Sequence, residues 1–214
     1  VKIIEGIRHK GCPFEIPDCS RLDLPEFFAE MGYEVGAEIG VYKGEYTKHF
    51  CEAGLKMYGI DPWTAQGSFR ARTPEKHRRF QERQDFLYGH TQRVLKPYLE
   101  NGLCTLIRKR SLDALADFED RSLDFVYVDA NHGFRYVAED ICEWVKKVKR
   151  GGVISGHDYT VREDRFTKGL FQVKCVVDAY TRAFDIESWY LLGSLNKKEN
   201  EKRDKWRSWI WINL

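Results

Sequence analysis

A chain of 214 residues is long enough for one domain with a sizeable core, and its 35 Lys plus Arg against 33 Asp plus Glu leave a net charge of +2. So even a balance gives no global basis for binding nucleic acid or an anionic membrane surface. Apolar runs are strand-length, no signal-peptide pattern opens the chain, and the six cysteines (12, 19, 51, 104, 142 and 175) form no CxxC pair. Together these predict a cytoplasmic protein with reduced thiols, no membrane span and no cysteine zinc site. The chain begins at Val1 rather than Met, so a short preceding segment is expected.

Residues 1–23 read as an irregular N-terminal arm, since their first twenty hold two Pro, two Gly and two Cys. Leu24 to Met31 predicts a short helix, with Asp23 as its cap and Pro25 in the first turn. A strand over 35–40 is followed by a helix from Glu45 to Ala53 that Gly54 ends, and a second strand covers 56–60. The stretch 62–97 is polar and basic, with Lys or Arg at 70, 72, 76, 78, 79, 83, 93 and 96 against acids at 75, 82 and 85. It reads as a lid-like insertion that is helical from Pro74 onward.

A third strand, 104–107, precedes a short helix that Ser111 is expected to cap. A fourth strand over 124–128 leads into the clearest helix, where Phe134, Val137, Ala138, Ile141, Val145 and Val148 share one face. Gly151-Gly152 is expected to stop it, and a fifth strand runs to Asp158. A loop at 159–170, a helix near 172–184, a strand at 186–192, a charged hairpin-like stretch at 196–205 and a strand at 206–212 complete the order. This pattern predicts an α/β fold. Its sheet would be doubly wound, Rossmann-like and seven-stranded, mostly parallel, with one antiparallel strand near the edge and helices on both faces. Residues 24–214 would form that single domain.

Four of the predicted strands end at or beside an acid: Glu38, Asp61, Asp129 and Asp158. Ligands bind beyond the carboxyl ends of parallel strands, so four carboxylates at one rim constitute a site. The turn Gly40-Val41-Tyr42-Lys43-Gly44 lets a ligand approach the backbone. Its glycines do not fit the G-x-G-x-x-G dinucleotide spacing, and Glu38 would disfavour a pyrophosphate while favouring a cationic group such as an α-ammonium. Asp61 is placed to accept hydrogen bonds from both hydroxyls of a ribose. S-adenosylmethionine carries a ribose at one end and an ammonium at the other.

The set Glu38-Ile-Gly40-x-x-x-Gly44, Asp61, Asp129 and a terminal helix–strand–strand resembles the class I S-adenosylmethionine-dependent methyltransferases over about residues 24–214. Val128-Asp-Ala-Asn-His-Gly-Phe134 and Gly151-Gly-Val-Ile-Ser-Gly-His-Asp-Tyr159 are similar to the methyltransferase domain 24 group, often associated with sugar or natural-product modification. The resemblance implies that Glu38, Gly40, Tyr42 and Gly44 line the methionine portion, with Asp61 at the ribose and Ser111 at the adenine edge. Asp129 borders the cofactor, and Trp63 either stacks near the purine or is a partly buried loop residue.

Methyl transfer to a hydroxyl requires alignment and removal of a proton. Asp129 and Asp158 would end neighbouring strands ~4.8 Å apart and could hold Mg²⁺ or Ca²⁺. That arrangement is similar to the catechol and macrolide-sugar O-methyltransferases, except that His157 and Tyr159 flank the second Asp where those enzymes use a further carboxylate or amide. Alternatively His132 or His157 acts as general base, since histidine titrates near neutral pH. The expectation is therefore a methyltransferase acting on a small-molecule hydroxyl of sugar or natural-product type. The acceptor could be anionic and drawn in by 62–97; nucleic acid is disfavoured, and a homo-oligomer stays open. Two other readings also stay open: an NAD-dependent oxidoreductase and a non-catalytic S-adenosylmethionine-binding protein.

Overall fold

The computed structural model describes residues 2–66, 73–163 and 169–214. Eight strands form the central sheet: β1 (Gly11–Ile16), β2 (Val35–Ile39), β3 (Lys56–Ile60), β4 (Cys104–Ile107), β5 (Leu123–Val128), β6 (Val148–Gly156), β9 (Ser188–Leu192) and β10 (Trp209–Ile212). A separate two-stranded ribbon, β7 (Arg162–Glu163) and β8 (Leu170–Phe171), lies between β6 and β9 in the chain. The helices are α1 (Lys2–Gly6), α2 (Leu24–Glu30), α3 (Glu45–Glu52), α4 (Pro74–Val94), α5 (Lys96–Glu100), α6 (Ser111–Ala114), α7 (Phe134–Trp144) and α8 (Val173–Ala183).

The sheet order is β1-β9-β10-β6-β5-β2-β3-β4. β10 alone runs antiparallel, between β6 and β9, and the other pairings are parallel. The sheet thus has eight strands rather than the expected seven. The additional one is β1, from the stretch expected to be irregular, and it pairs with β9 at the sheet's edge. Its glycines and prolines predict an irregular arm, but an edge strand tolerates proline because it has no second neighbour to hydrogen-bond.

All six residues of β5 are buried, as a central parallel strand requires. Successive side chains point to opposite faces. Phe125 and Tyr127 pack with Phe28 of α2 and with Tyr46 and Phe50 of α3, while Val126 and Val128 pack with Ile141 and Trp144 of α7 and Val176 and Val177 of α8. Two apolar layers therefore clamp the strand whose end carries Asp129.

Some element ends differ from expectation. α7 stops at Trp144, a 3-10 turn covers Val145–Lys147, and Val148 already begins β6. Gly151 and Gly152 sit inside that strand rather than before it. At Gly152 a Cβ would stand 2.3 Å from the Asp124 carbonyl, so glycine there permits close strand approach, not helix termination. The last strand begins at Trp209, three residues later than the aromatic run suggested.

The basic stretch is a docked element over its described part. Thr73 caps α4 by accepting the Lys76 N–H (3.3 Å), and Leu87 and Thr91 are buried. The Thr91 hydroxyl donates to the Tyr42 carbonyl (2.9 Å), which pins the helix to the glycine turn. Residues 67–72, the remainder of the expected lid, lie outside the described residues. Among the described residues no helix is long and apolar enough to cross a membrane.

Candidate active site

Strand register brings the predicted acids to one rim. Glu38 pairs with Tyr127, and Val128 with Gly156, so Asp129 and Asp158 emerge just beyond adjacent strand ends. Backbone bonds continue the ladder past those ends: Gly40 N–H to the Ile60 carbonyl (2.8 Å), Asp129 N–H to Ile39 (2.8 Å) and His157 N–H to Val128 (3.1 Å). Gly40 has φ 98°, and a Cβ there would lie 2.3 Å from the Asp129 carbonyl. Only glycine lets the turn lie flush against β5. Gly44, with φ 81°, starts α3.

The half of the rim expected from the sequence to take the cofactor is built around Asp61. Its two carboxylate oxygens accept the N–H groups of Tyr42 (3.0 Å) and Trp63 (2.9 Å). Burial raises its pKa, and these backbone bonds work against that rise. Half-exposed Tyr42 has φ 53°, and its carbonyl accepts the Trp63 indole N–H (2.9 Å). Trp63 is 1% exposed, packed with Val41 and Leu87 and against Tyr88 at 4.8 Å between ring centroids. A ring enclosed in this way has no face to offer a purine, so the structural alternative describes Trp63 and the stacking role does not.

Glu38 also differs from expectation. It is 2% exposed, and its carboxyl is hydrogen-bonded by the Thr47 hydroxyl of α3. Burial pushes its pKa well above the usual carboxylate range, against the Thr47 bond. A sealed carboxyl bound to α3 supports the turn from beneath instead of presenting a charge to an ammonium. Ser111 is the first residue of α6, and its cap is Arg110. The Ser111 hydroxyl accepts the Trp144 indole N–H (2.8 Å) and donates to Asp140, so it knits α6 to α7.

Asp140 carries a stability prediction. Burial pushes its carboxyl up to about 6, against the lowering effect of Ser111. A folded-state pKa raised in this way favours the fold fully below the unfolded value of ~3.9, and that contribution is lost as pH rises through about 6. At pH 8 the wild type therefore carries a cost of ~3 kcal/mol at most. Asp140→Asn, which can still accept from Ser111, is expected to be more stable than wild type at pH 8 and about equal at pH 4. Urea unfolding at the two pH values checks this; equal stability at pH 8 would contradict it.

The second half of the rim gathers Asp129, His132, His157 and Asp158. His132 Nε2 lies 3.2 Å from Asp129 Oδ1 and 3.0 Å from Asp158 Oδ2. Burial alone would lower its pKa, but the two carboxylates outweigh it and raise it to about 9. Asp158 is lowered in turn: its burial is outweighed by the His132 contact. His157 Nδ1 sits 3.6 Å from Asp158 Oδ1 and 4.0 Å from Asp129 Oδ2. Asp129, His132 and Asp158 each offer a donor atom within 4.8 Å of the others. The sequence pointed to the two aspartates as a metal pair and to His132 as a base; the structure makes His132 the third member of one cluster.

Two contributors were not foreseen. Phe171 of β8 stacks on the His132 ring at 4.5 Å between centroids, fixing its plane. Arg21, from the arm, reaches Asp129 Oδ2 with Nη1 at 3.5 Å. A local signal for Arg21 existed. Ser20 and Asp23 form a capping box, in which Asp23 accepts the Ser20 N–H (2.8 Å) and Ser20 accepts the Leu22 N–H (3.3 Å).

A methyltransferase domain family model matches residues 37–159, more than half of the chain, and spans Glu38, the glycine turn, Asp61, Ser111 and the whole second-half cluster. The chain belongs to the methyltransferase domain family. It is thereby placed among the class I S-adenosylmethionine-dependent methyltransferases. An uncharacterised protein of Sinorhizobium fredii is 26% identical over 166 residues, which is 74% of this chain but only 16% of that relative's length.

Among solved structures, the Bacillus cereus O-methyltransferase in complex with SAH aligns with a TM-score of 0.58 at 13% identity, over 90% of this methyltransferase and 80% of that chain. The Streptomyces achromogenes O-methyltransferase involved in tomaymycin synthesis, in complex with SAM, gives 0.58 at 13% identity over 91% and 79%. An rRNA methylase of Streptococcus thermophilus gives 0.55 at 15% over 89% and 94%. Likenesses at such identity establish the fold and leave the acceptor to be argued from the site.

Proposed function

We propose that this methyltransferase moves the methyl group of S-adenosylmethionine to a hydroxyl of a small-molecule acceptor of sugar or natural-product type. The observation that carries this reading is the Asp129–His132–Asp158 cluster beside the glycine turn. A sulfonium methyl already has an excellent leaving group, so the protein must orient the nucleophile and manage its proton. Asp61 would hold the ribose, the Gly40–Gly44 backbone the methionine portion, and Ser111 with its neighbours the adenine edge. Asp129 would border the acceptor, and His157, whose Nδ1 lies 3.6 Å from Asp158 Oδ1, would be the imidazole that takes a hydroxyl proton. His132, held at about 9, keeps its proton at neutral pH and serves better as an anchor for the two carboxylates.

The donor set fits a divalent ion. Asp158 Oδ1 is buried and accepts no hydrogen bond within the described residues, and Asp129 and Asp158 offer oxygens to which His132 would add a nitrogen once an incoming ion displaced its proton. Such a mixed set suits Mn²⁺ or Zn²⁺ at least as well as Mg²⁺. An ion held there would act as a Lewis acid that eases ionisation of an acceptor hydroxyl.

The basic helix gives little support to an anionic acceptor. Arg79 pairs with Glu75 and Arg78 with Glu82, so part of its charge is answered within the helix. Calorimetry with S-adenosylhomocysteine, followed by labelled-methyl transfer to a panel of sugars and phenols, tests the reading. Cofactor binding with label appearing on a hydroxyl supports it. Labelling of RNA alone, or of nitrogen acceptors alone, would refute the acceptor class.

A further inference from the structure

Granting the cofactor reading above, we infer that Arg21 takes the α-carboxylate of bound S-adenosylmethionine. The methionine end of the cofactor is a zwitterion. The rim at that end carries the Asp129 carboxylate. An ammonium meets favourable charge there, but a carboxylate meets like charge and needs a cation. His132 is already shared between Asp129 and Asp158. Arg21 brings a guanidinium whose Nη1 stands 3.5 Å from Asp129 Oδ2, with the side chain 35% exposed. A guanidinium has five N–H donors, and contacts with Asp129 and the Tyr127 side chain leave donors over for a ligand.

The residue is held for this task from two other parts of the chain. Its backbone N–H donates to Asp204 Oδ2 (2.8 Å), and its carbonyl accepts the Tyr46 hydroxyl (2.7 Å). Its guanidinium lies over the Tyr46 ring, 5.1 Å from the centroid, an attraction that steadies a cation without consuming its donors. Tyr46 belongs to α3, the helix that Gly44 opens, so Arg21 is tied to the same turn that would cradle the methionine. The arm therefore completes the cofactor site that the family match, beginning at residue 37, leaves open on this side. The competing role is structural, with Arg21 only neutralising Asp129.

Two ligands separate these roles. S-adenosylhomocysteine has the amino-acid tail; 5′-methylthioadenosine keeps the purine, ribose and thioether but lacks the carboxylate. Calorimetric titration of the intact chain with each is compared for wild type, Arg21→Gln and Arg21→Lys. Arg21→Gln is expected to weaken S-adenosylhomocysteine roughly ten- to hundredfold while 5′-methylthioadenosine stays within about twofold. Arg21→Lys, which keeps the charge but not the fork, should fall between, and it carries the same comparison should the Gln variant fail to fold. Equal weakening of both ligands, or unchanged S-adenosylhomocysteine affinity, overturns the inference and leaves the cofactor reading intact. Wild type that binds neither ligand removes the cofactor reading, and the inference with it.

Discussion

Asp61→Ala is expected to weaken S-adenosylhomocysteine at least about hundredfold, because two ribose hydrogen bonds to a charged acceptor are lost at ~1.5–3 kcal/mol each. The structure adds a second consequence. The same carboxylate accepts the N–H groups of Tyr42 and Trp63, so the alanine variant leaves the part-buried Trp63 donor unmet at ~1–3 kcal/mol, while water can reach the exposed Tyr42 donor. The fold should therefore be measurably less stable without any cofactor. Asp61→Asn keeps one acceptor oxygen but turns an amide N–H₂ toward a backbone donor, so it should recover only part of either loss. Calorimetry paired with thermal unfolding of the unliganded variants separates the two effects. A folded alanine variant with wild-type cofactor affinity would end the ribose assignment, whatever its stability.

What the sequence shows well is what strand period and strand ends encode. β5 reads as a buried run because it is buried on both faces, and its terminal acid lands on the rim because a parallel ladder leaves it no other place. Glu38, Asp61, Asp129 and Asp158 are legible for the same reason. Side-chain direction is not encoded in this way. Glu38 precedes the turn by two residues, which suggested a charge facing ligand, but the pleat aims it under the turn at Thr47. Trp63 follows Asp61 closely, yet α4 returns Leu87 and Tyr88 to cover it. Contributions from distant segments were the least visible. β1 was hidden by glycine and proline, the reach of Arg21 to Asp129 by the distance along the chain that a capping box does not encode, and the His132–Phe171 stack by a separation of 39 positions. Each of these depends on tertiary contacts that local propensity does not specify.

The metal prediction follows from the one cluster that both levels of reading share. Methyl transfer is expected to fall roughly hundred- to thousandfold on treatment with a chelator and to return with Mn²⁺ or Mg²⁺, the loss of several kcal/mol of Lewis-acid assistance. Asp158→Asn should reproduce most of that fall, because it weakens the member of the cluster whose Oδ1 is buried without a hydrogen-bond partner. His132→Ala should weaken metal affinity, because it removes the nitrogen that would join Asp129 and Asp158 around the ion once its proton is displaced. His157→Ala makes the opposite case: if activity survives chelation but not this substitution, proton removal by imidazole is the operating mechanism and the cluster serves alignment alone. The two mechanisms thus differ in which treatment is silent. Before an acceptor is known, titration of Mn²⁺ into wild type and His132→Ala, read by calorimetry or electron paramagnetic resonance, gives the same decision. No binding to the wild type would leave His157 as the residue that receives the proton.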